Sequence, residues 1–239
     1  IQKVPVADGE RLSRVAKAII APVIAAEMGV HNYGTLNGVQ GNYARGNLPI
    51  KNYATNVWDI SEDEFEKFSG PYIHEHFKPK RSNPCWACSN KHCQMLTITE
   101  GPYEGMEVEE PEYEQFSAFS ANLGITEIGS VMMLANTVDR LGLDTNEAGW
   151  ICSCAMECYA KGILSREDMQ GLEMRWGNAE ATRDFLNQIA HREGIGNTFA
   201  EGVRRAVRTI GKAAEELGVY TMKGGTPRGH DHRGRWTEL

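Results

Sequence analysis

The sequence lacks an uninterrupted hydrophobic run of the roughly 18–20 residues that a membrane-spanning helix needs. Its most apolar stretch, residues 15–28, is broken by Lys17, Pro22 and Glu27. Apolar residues at helical spacing with such interruptions are typical of a helix in a globular core. We therefore predict no membrane span, and instead a buried helix over residues 11–28 that ends at Gly29.

An excess of positive charge is also absent. The 239 residues contain 25 Lys and Arg against 32 Asp and Glu, which gives a formal net charge of −7. Proteins that bind nucleic acids generally present a basic surface to the phosphates. The charge balance therefore argues against a nucleic-acid-binding function.

Cysteine is scarce, and the six cysteines fall into two tight groups. Such grouping fits reduced thiols in the cytoplasm better than a disulfide scaffold. The first group, Cys85-Trp-Ala-Cys88-Ser-Asn-Lys-His-Cys93, places three thiolates close together, and thiolates at this spacing suit a zinc ion or an iron–sulfur cluster. Three ligands are local, so a fourth must come from elsewhere. No second CxxC or HxxxH pair follows at zinc-finger spacing, but a structural zinc site that adds His92 remains an alternative.

The second group, Cys152, Cys154 and Cys158, lies on one predicted helix. Buried cysteines often act as small hydrophobic residues in a core helix, and that is the interpretation favoured here. A thiolate ligand from Cys152 or Cys154 is the alternative.

Glycine spacing and helical periodicity predict a mainly α, multihelical fold with long glycine-rich loops. Residues 30–56 are rich in Gly, Asn and Tyr and predict a long ordered loop. A capping box from Ser61 to Glu64 predicts the start of a short helix. From Tyr113 onward, glycines recur at helix-sized intervals. Three further predicted elements are a strand over residues 94–99, a helix that begins at Ser165, and a helix over residues 199–217.

Three polar motifs follow the cysteine run. Pro111-Glu-Tyr-Glu114 offers two carboxylates ahead of a helix, although such acids are usually solvated charges in a first turn. Asp139-Arg-Leu-Gly142-Leu143-Asp144-Thr145 is an ordinary helix-end turn or, alternatively, two aspartates that accept hydrogen bonds from a heterocycle. Residues 223–235 are glycine-rich and basic, which suits phosphate binding or a solvated loop.

In this order, the motifs resemble those of the aldehyde:ferredoxin oxidoreductase family of tungsten- and molybdenum-pterin enzymes. The family pattern runs from a CxxC-x(3–4)-C group through PEYE and DxxGLD(T) to a KG motif, here Lys223-Gly224. Residues 156–159 and 171–177 are also similar, and the match extends from about residue 30 to the end. The resemblance implies a helical middle domain at residues 1–219 that carries the cluster cysteines and the DxxGLD motif. A following helical domain is expected to begin at residues 220–239.

The resemblance also implies a role for each motif. Cys85, Cys88 and Cys93 would hold a [4Fe–4S] cluster. Glu114 would stand beside the tungsten or molybdenum as a proton donor or acceptor. Lys223 and Gly224 would hold pterin or phosphate. The pterin contacts of the DxxGLD turn would come from Asp139, Gly142, Leu143, Asp144 and Thr145.

Two departures from the family pattern bear on the reaction. Thr221 stands where aldehyde-oxidising members commonly have a histidine, two residues before the KG lysine. The later segment reads Pro-Arg-Gly-His230-Asp-His232-Arg where members read towards (H/Y)DPR. Together with the CxxxxC spacing that ends in His92-Cys93, this is similar to the tungsten subunit of class II benzoyl-CoA reductases. His230 or His232 is then expected to supply the missing imidazole.

The resemblance implies an oxidoreductase that acts on an aldehyde or oxo-type substrate and exchanges low-potential electrons in an anaerobic cytoplasm. Its implied cofactors are the [4Fe–4S] cluster and a tungsten or molybdenum bis-pterin. Ferredoxin or an iron–sulfur subunit is the implied electron partner, within a homo- or hetero-oligomer. The alternatives are a tungsten subunit that reduces an aromatic acyl-CoA, and a zinc-stabilised helical binding module without catalysis. Because the chain begins at Ile1 and stops directly after the His/Arg motif, we expect an internal fragment that is inactive alone.

Overall fold

A computed structural model describes residues 5–26, 28–86, 88 and 90–233. The mainly α architecture agrees with the prediction. None of the helices in these ranges is long and apolar enough to cross a membrane. A 3₁₀ helix covers Thr35–Gly38. The α-helices of the described residues are α1 (Gly9–Ala26), α2 (Met28–Tyr33), α3 (Val39–Ala44), α4 (Glu62–Glu66), α5 (Gly70–His76), α6 (Tyr113–Phe119), α7 (Ile128–Leu141), α8 (Thr145–Ala160), α9 (Ala179–His191), α10 (Ile195–Phe199), α11 (Val203–Ile210) and α12 (Lys212–Glu215).

One small antiparallel sheet lies beside the helices. Its strands β1 (Lys78–Ser82), β2 (Gln94–Thr97) and β3 (Glu107–Glu109) are adjacent in sequence order. The predicted strand over residues 94–99 is thus present, and Leu96 and Ile98 are fully buried. The β1–β2 connection carries the cysteine run, and β3 leads directly into the PEYE segment.

The core is built around α6, α7 and α8, which pack against one another. Their inward residues are large and apolar, and Phe116, Phe119 and Val131 have no exposed surface. α9 packs on α7 and α10 on α9, so the C-terminal helices extend the same core. This core holds the N-terminal ends of α6 and α8 in fixed positions, and the polar motifs lie at those ends.

Helix capping follows the sequence signals where they are strongest. The predicted capping box is confirmed, because Ser61 accepts from the Glu64 amide and Glu64 accepts from the Ser61 amide. Asp144 caps α8 by accepting from the Glu147 amide at 2.8 Å. Each such acceptor satisfies an amide that has no partner within its own helix.

The prediction that residues 11–28 form a buried helix is wrong in its burial. α1 forms, but none of its residues is buried. Val15, Ile19 and Val23 are each at least 46% exposed. Helical spacing of apolar residues fixes which face of a helix is hydrophobic, but not whether a neighbouring element covers that face.

Three other predictions are corrected. Residues 30–56 are not one loop, because α2, the 3₁₀ helix and α3 occupy residues 28–44. Ser165 does not open a helix: its hydroxyl bonds Asp168 at 2.7 Å, but the chain only turns, with left-handed φ values of 54° at Gln170 and 92° at Gly171. The single helix over residues 199–217 is divided at Gly202 and Gly211, since φ values of 86° and 127° there are incompatible with a continuous helix.

Close packing of α6 on α8 depends on Gly149. A Cβ at this position would lie 2.6 Å from the Ala118 Cβ and 3.3 Å from the Ala118 Cα. Gly149→Ala is therefore expected to destabilise the protein by about 1–3 kcal/mol through overpacking, measured by urea unfolding. The double variant Ala118→Gly/Gly149→Ala is expected to recover part of that loss. A stabilisation of about 1 kcal/mol by Gly149→Ala, as helix propensity alone predicts, would show that the helices have room to separate.

Candidate functional site

The cysteine run forms the loop of the β1–β2 hairpin. The loop is closed at its base, where the Asn83 amide donates to the Cys93 carbonyl at 2.9 Å, and it turns where the Cys88 amide donates to the Cys85 carbonyl at 3.0 Å. All three thiols are free: Cys85 is exposed, Cys88 is half-buried and Cys93 is buried. Residues 87 and 89 of this loop lie outside the described residues.

Strand register brings Cys93 to the PEYE segment. β2 and β3 pair with Met95 opposite Glu109, so Cys93, two residues before Met95, lies opposite the residues that follow β3. The Cys93 thiol accordingly donates to Glu112 Oε1 at 3.3 Å. Burial, and secondarily the Glu112 carboxylate, raise the pKa of the Cys93 thiol above its usual range.

His92 completes a compact group with these two residues. Ligand atoms of His92, Cys93 and Glu112 all lie within 4.8 Å of one another. Such a group has the donor types that zinc accepts, and this geometry is consistent with the alternative of a zinc site that includes His92. It also shows that thiol and carboxylate chemistry meet at one edge of the sheet.

The N-cap and first turn of α6 hold the PEYE carboxylates, Glu112 and Glu114, and one side-chain amide that the sequence did not single out. Glu114 is half-buried in this turn. The Glu112 amide donates to Gln115 Oε1 at 3.0 Å, which caps the helix. Gln115 Nε2 donates to Asp139 Oδ1 at 2.8 Å. The PEYE helix is thereby joined to the DxxGLD turn.

That turn connects α7 to α8. Asp139 and Asp144 are exposed, and Leu143 and Thr145 are half-buried. Gly142 ends α7 in the left-handed conformation, with φ 67°, and nothing lies within 4 Å of where its Cβ would project. The backbone at Gly142 is therefore open to a ligand, with Asp139 and Asp144 close on either side in sequence.

The KG motif forms a tight turn close to the start of α8. Lys223 is exposed. Gly224 has φ 96°, and a Cβ added to Gly224 would lie 2.9 Å from Nη1 of Arg204. Glu147 connects this turn to α8, because its Oε2 accepts from the Thr226 hydroxyl at 3.0 Å. Its other oxygen accepts from the Val203 amide at 2.8 Å.

The following segment returns to the PEYE helix. The Tyr113 hydroxyl donates to the Gly229 carbonyl at 2.7 Å, and a Cβ at Gly229 would lie 3.2 Å from the Glu114 Cα. The His230 ring stacks on the Tyr113 ring at 5.0 Å between centroids, while the Tyr53 hydroxyl donates to the His230 carbonyl at 2.7 Å. Burial, and secondarily the Glu114 carboxylate, raise the pKa of Tyr113, so its hydroxyl stays a donor.

His232 is held differently. Both of its ring nitrogens are buried, and neither has a hydrogen-bond partner within the described part of the chain. The buried Asp231 carboxylate pairs with Arg233 at 2.7 Å, and Arg233 in turn donates to the Tyr53 carbonyl at 2.7 Å. The backbone of residues 230–233 is therefore firmly positioned, whereas residues 234–239 lie outside the described residues.

The second cysteine group belongs to the core. Cys152, Cys154 and Cys158 have no exposed surface, and burial raises the pKa of the Cys152 thiol. In the described residues these thiols face the interior of the helical packing. The interpretation as small core residues is consistent with this placement.

The structure thus gathers the predicted residues around the N-terminal ends of α6 and α8. Four side chains at these helix ends make the contacts. Glu112 bonds Cys93, Gln115 bonds Asp139, Glu147 bonds Thr226 of the segment after the KG lysine, and Tyr113 stacks on His230. Of these joining residues, Glu112 and Tyr113 belong to the PEYE motif, whereas sequence reasoning did not single out Gln115 or Glu147. Gln115 stands three positions after Glu112, which is capping-box spacing, so a signal for it was available.

Known proteins of one family are similar to this chain. The family model for aldehyde ferredoxin oxidoreductase, domains 2 and 3, matches residues 13–238. The tungsten-containing aldehyde ferredoxin oxidoreductase of Pyrococcus furiosus is 32% identical over 97% of this chain and 38% of its own length. That of Thermococcus kodakarensis is 30% identical over 98% of this chain and 38% of its own length.

One further sequence and one solved structure broaden the comparison. The aliphatic sulfonate oxidoreductase, WOR-like subunit, of Pyrococcus furiosus is 32% identical over 72% of this chain and 27% of its own length. The solved active-site complex BamBC of benzoyl coenzyme A reductase with 1,5-dienoyl-CoA has a chain of the same fold, with a TM-score of 0.66. This likeness covers 85% of the present chain and 28% of that chain at 21% identity.

The chain spans about 38% of the length of the curated relatives named first. The family model covers nearly all of it, and the fold and the order of the motifs agree with that match. The chain therefore belongs to the aldehyde ferredoxin oxidoreductase family and corresponds to the region described as domains 2 and 3.

Proposed function

We propose that this chain is part of a tungsten–pterin iron–sulfur oxidoreductase that acts on an aldehyde or oxo-type substrate. The observation that carries the proposal is the convergence of the four motifs at the N-terminal ends of α6 and α8. Motifs separated by up to about 140 residues in sequence meet there, as residues that serve one site must. The relatives named as tungsten-containing aldehyde ferredoxin oxidoreductases support the same reaction class.

The residues fit the cofactors that the family implies. Three free thiols with graded exposure on one hairpin loop suit a cluster held by thiolates. The fourth ligand would come from outside the three local cysteines. Exposed carboxylates at Asp139 and Asp144, on either side of the open Gly142, suit the amino and ring N–H groups of a pterin. Lys223 and Gly224 would hold its phosphate or its ring.

When bound, the metal and the cluster would supply the oxygen-transfer and electron-transfer chemistry, while the protein positions the reacting groups. Glu114 is the candidate proton donor or acceptor, because converting an aldehyde to an acid moves protons as well as electrons. His230, held on Tyr113 beside Glu114, would supply an imidazole from a position other than the family's histidine. The stacking and the two phenol hydrogen bonds restrict the orientation of its ring and backbone.

The wider context is also part of the proposal. Residues 1–219 would form the middle domain, and residues 220–239 would begin the next one. The electron partner would be ferredoxin or an iron–sulfur subunit in an anaerobic cytoplasm. Because Cys85, one of the three cluster cysteines, is exposed on the hairpin loop, electrons would enter from that side.

The experiment that tests the proposal is metal and sulfide analysis of the anaerobically purified gene product. We expect about four iron and four sulfide per chain, together with tungsten. Cys85→Ser, Cys88→Ser and Cys93→Ser are each expected to lose most of the iron, whereas the core variant Cys158→Ala keeps it. One zinc per chain and no iron would instead establish the zinc-stabilised module.

A further inference from the structure

The strongest unassigned feature of the site is a side-chain amide that joins its two halves. Gln115 accepts from the Glu112 amide and donates to the Asp139 carboxylate, at 3.0 Å and 2.8 Å. The orientation of the amide follows from its partners, because a backbone N–H can only donate and a carboxylate can only accept. Each end of the Gln115 amide therefore has one specific role.

The link continues through Glu112 to the cysteine loop. The Glu112 carboxylate accepts from the Cys93 thiol at 3.3 Å and from the Thr35 hydroxyl. Only two side chains, those of Glu112 and Gln115, thus separate Cys93 from Asp139. No other connection of this kind between the hairpin loop and the DxxGLD turn occurs among the hydrogen bonds of the described residues.

Asp139 needs such a partner. It is exposed and lies in the last turn of α7, where the helix dipole disfavours a carboxylate. Glu109 is close enough to interact with it, because burial, and secondarily the Asp139 carboxylate, raise the pKa of Glu109. The Gln115 donor offsets these unfavourable interactions and fixes one carboxylate oxygen, so the other oxygen can accept a hydrogen bond from a ligand.

We propose that Gln115 is a positioning residue that holds the Asp139 carboxylate for the pterin and sets its placement relative to the cluster cysteines. The inference rests on the proposed function, and the role it adds is that of a side chain outside the four motifs. Gln115 acts through Asp139 rather than on the reacting atoms. Its loss should therefore weaken pterin retention selectively and leave the cluster in place.

Gln115→Glu is the sharpest variant. A glutamate still accepts from the Glu112 amide, so the helix cap is retained, but it cannot donate to Asp139 and adds a like charge. If the pterin depends on the Asp139 carboxylate that Gln115 holds, loss of this hydrogen bond to a charged group lowers the affinity of the protein for the pterin by about 10–100-fold. We expect tungsten and pterin per chain to fall about tenfold or more after gel filtration, with iron, sulfide and thermal unfolding temperature close to those of the unmodified protein.

The matched control is Gln40→Leu. Gln40 is also a glutamine whose Nε2 bonds another segment, the Phe65 carbonyl at 3.1 Å, but its partners Phe65 and Glu66 lie in α4, outside the four motifs. It should retain both cofactors. Gln115→Leu, which removes the cap as well, should lose tungsten and also lower the unfolding temperature.

The outcomes separate the two proposals. Unmodified protein without tungsten or iron would overturn the proposed function and this inference with it. Unmodified protein with both cofactors, together with a Gln115→Glu variant that retains its tungsten or loses iron in parallel, would overturn the inference alone. Selective loss of tungsten from Gln115→Glu, with the Gln40→Leu control intact, would establish the positioning role.

Discussion

Replacing Glu114 by glutamine is expected to lower the turnover of the cofactor-loaded protein by about 10²–10⁴-fold, the usual effect of losing a general acid or base. Glutamine keeps the size and hydrogen-bonding capacity of the side chain but cannot take up or release a proton at working pH. Glu114 is half-buried in the first turn of α6, against the segment that carries His230. Turnover would be measured as aldehyde oxidation coupled to reduction of a low-potential dye.

Two measurements make the Glu114 prediction specific. Iron and tungsten contents should be unchanged, and the pH dependence of turnover should lose one of its limbs. Glu62→Gln is the matched control, because Glu62 is an exposed acid in the first turn of α4 and belongs to none of the four motifs. Equal turnover of the Glu114→Gln variant and the Glu62→Gln control would remove Glu114 from the proton-transfer step.

The largest expected effect on stability is at Asn52, which is 4% exposed. Its Nδ2 donates to Glu157 Oε2 at 2.6 Å and to the Leu217 carbonyl at 2.9 Å, and its Oδ1 accepts from Ser153 at 3.1 Å. Asn52→Ala removes these hydrogen bonds and leaves their buried partners unsatisfied. We expect it to lower the free energy of unfolding by about 3 kcal/mol or more. The free energy of unfolding in urea is the measurement.

Backbone conformation adds to this effect. Lys51, Asn52 and Tyr53 are three consecutive left-handed residues, with φ values of 44°, 56° and 63°. Asparagine tolerates this region better than most residues, whereas alanine pays about 1–2 kcal/mol there. Asn52→Gly should therefore be less destabilising than Asn52→Ala by about 1 kcal/mol. The exposed Asn56 supplies the control: a loss at Asn56→Ala as large as that at Asn52→Ala would contradict the importance of the buried network.

This turn also matters for the site. Tyr53, its last residue, donates to the His230 carbonyl, and the Arg233 guanidinium lies 4.5 Å from the centre of its ring. Loss of the Asn52 network is thus expected to loosen the segment that carries His230. No pattern in the sequence indicated a left-handed turn of non-glycine residues, because tertiary hydrogen bonds rather than local preference hold it.

Local chemistry could be predicted from the sequence where neighbouring residues decide it. The capping box at Ser61 needs only residues within one helical turn, and the strand from Gln94 needs only an alternating pattern. By contrast, the break of the predicted helix at Gly211 arises because its backbone adopts φ 127°. Glycine permits this conformation without requiring it.

By itself, the sequence determined the mainly α class, the grouping of cysteines, and the order of four motifs that the family match later supported. These features depend on residue type and spacing along the chain. Only the tertiary structure decided that Cys93 meets Glu112, since strand register sets that contact, and that Gln115 joins Asp139 across two helices. It also decided that α1 exposes its apolar face. Contacts between distant segments depend on how whole elements pack, and spacing along the chain does not specify that packing.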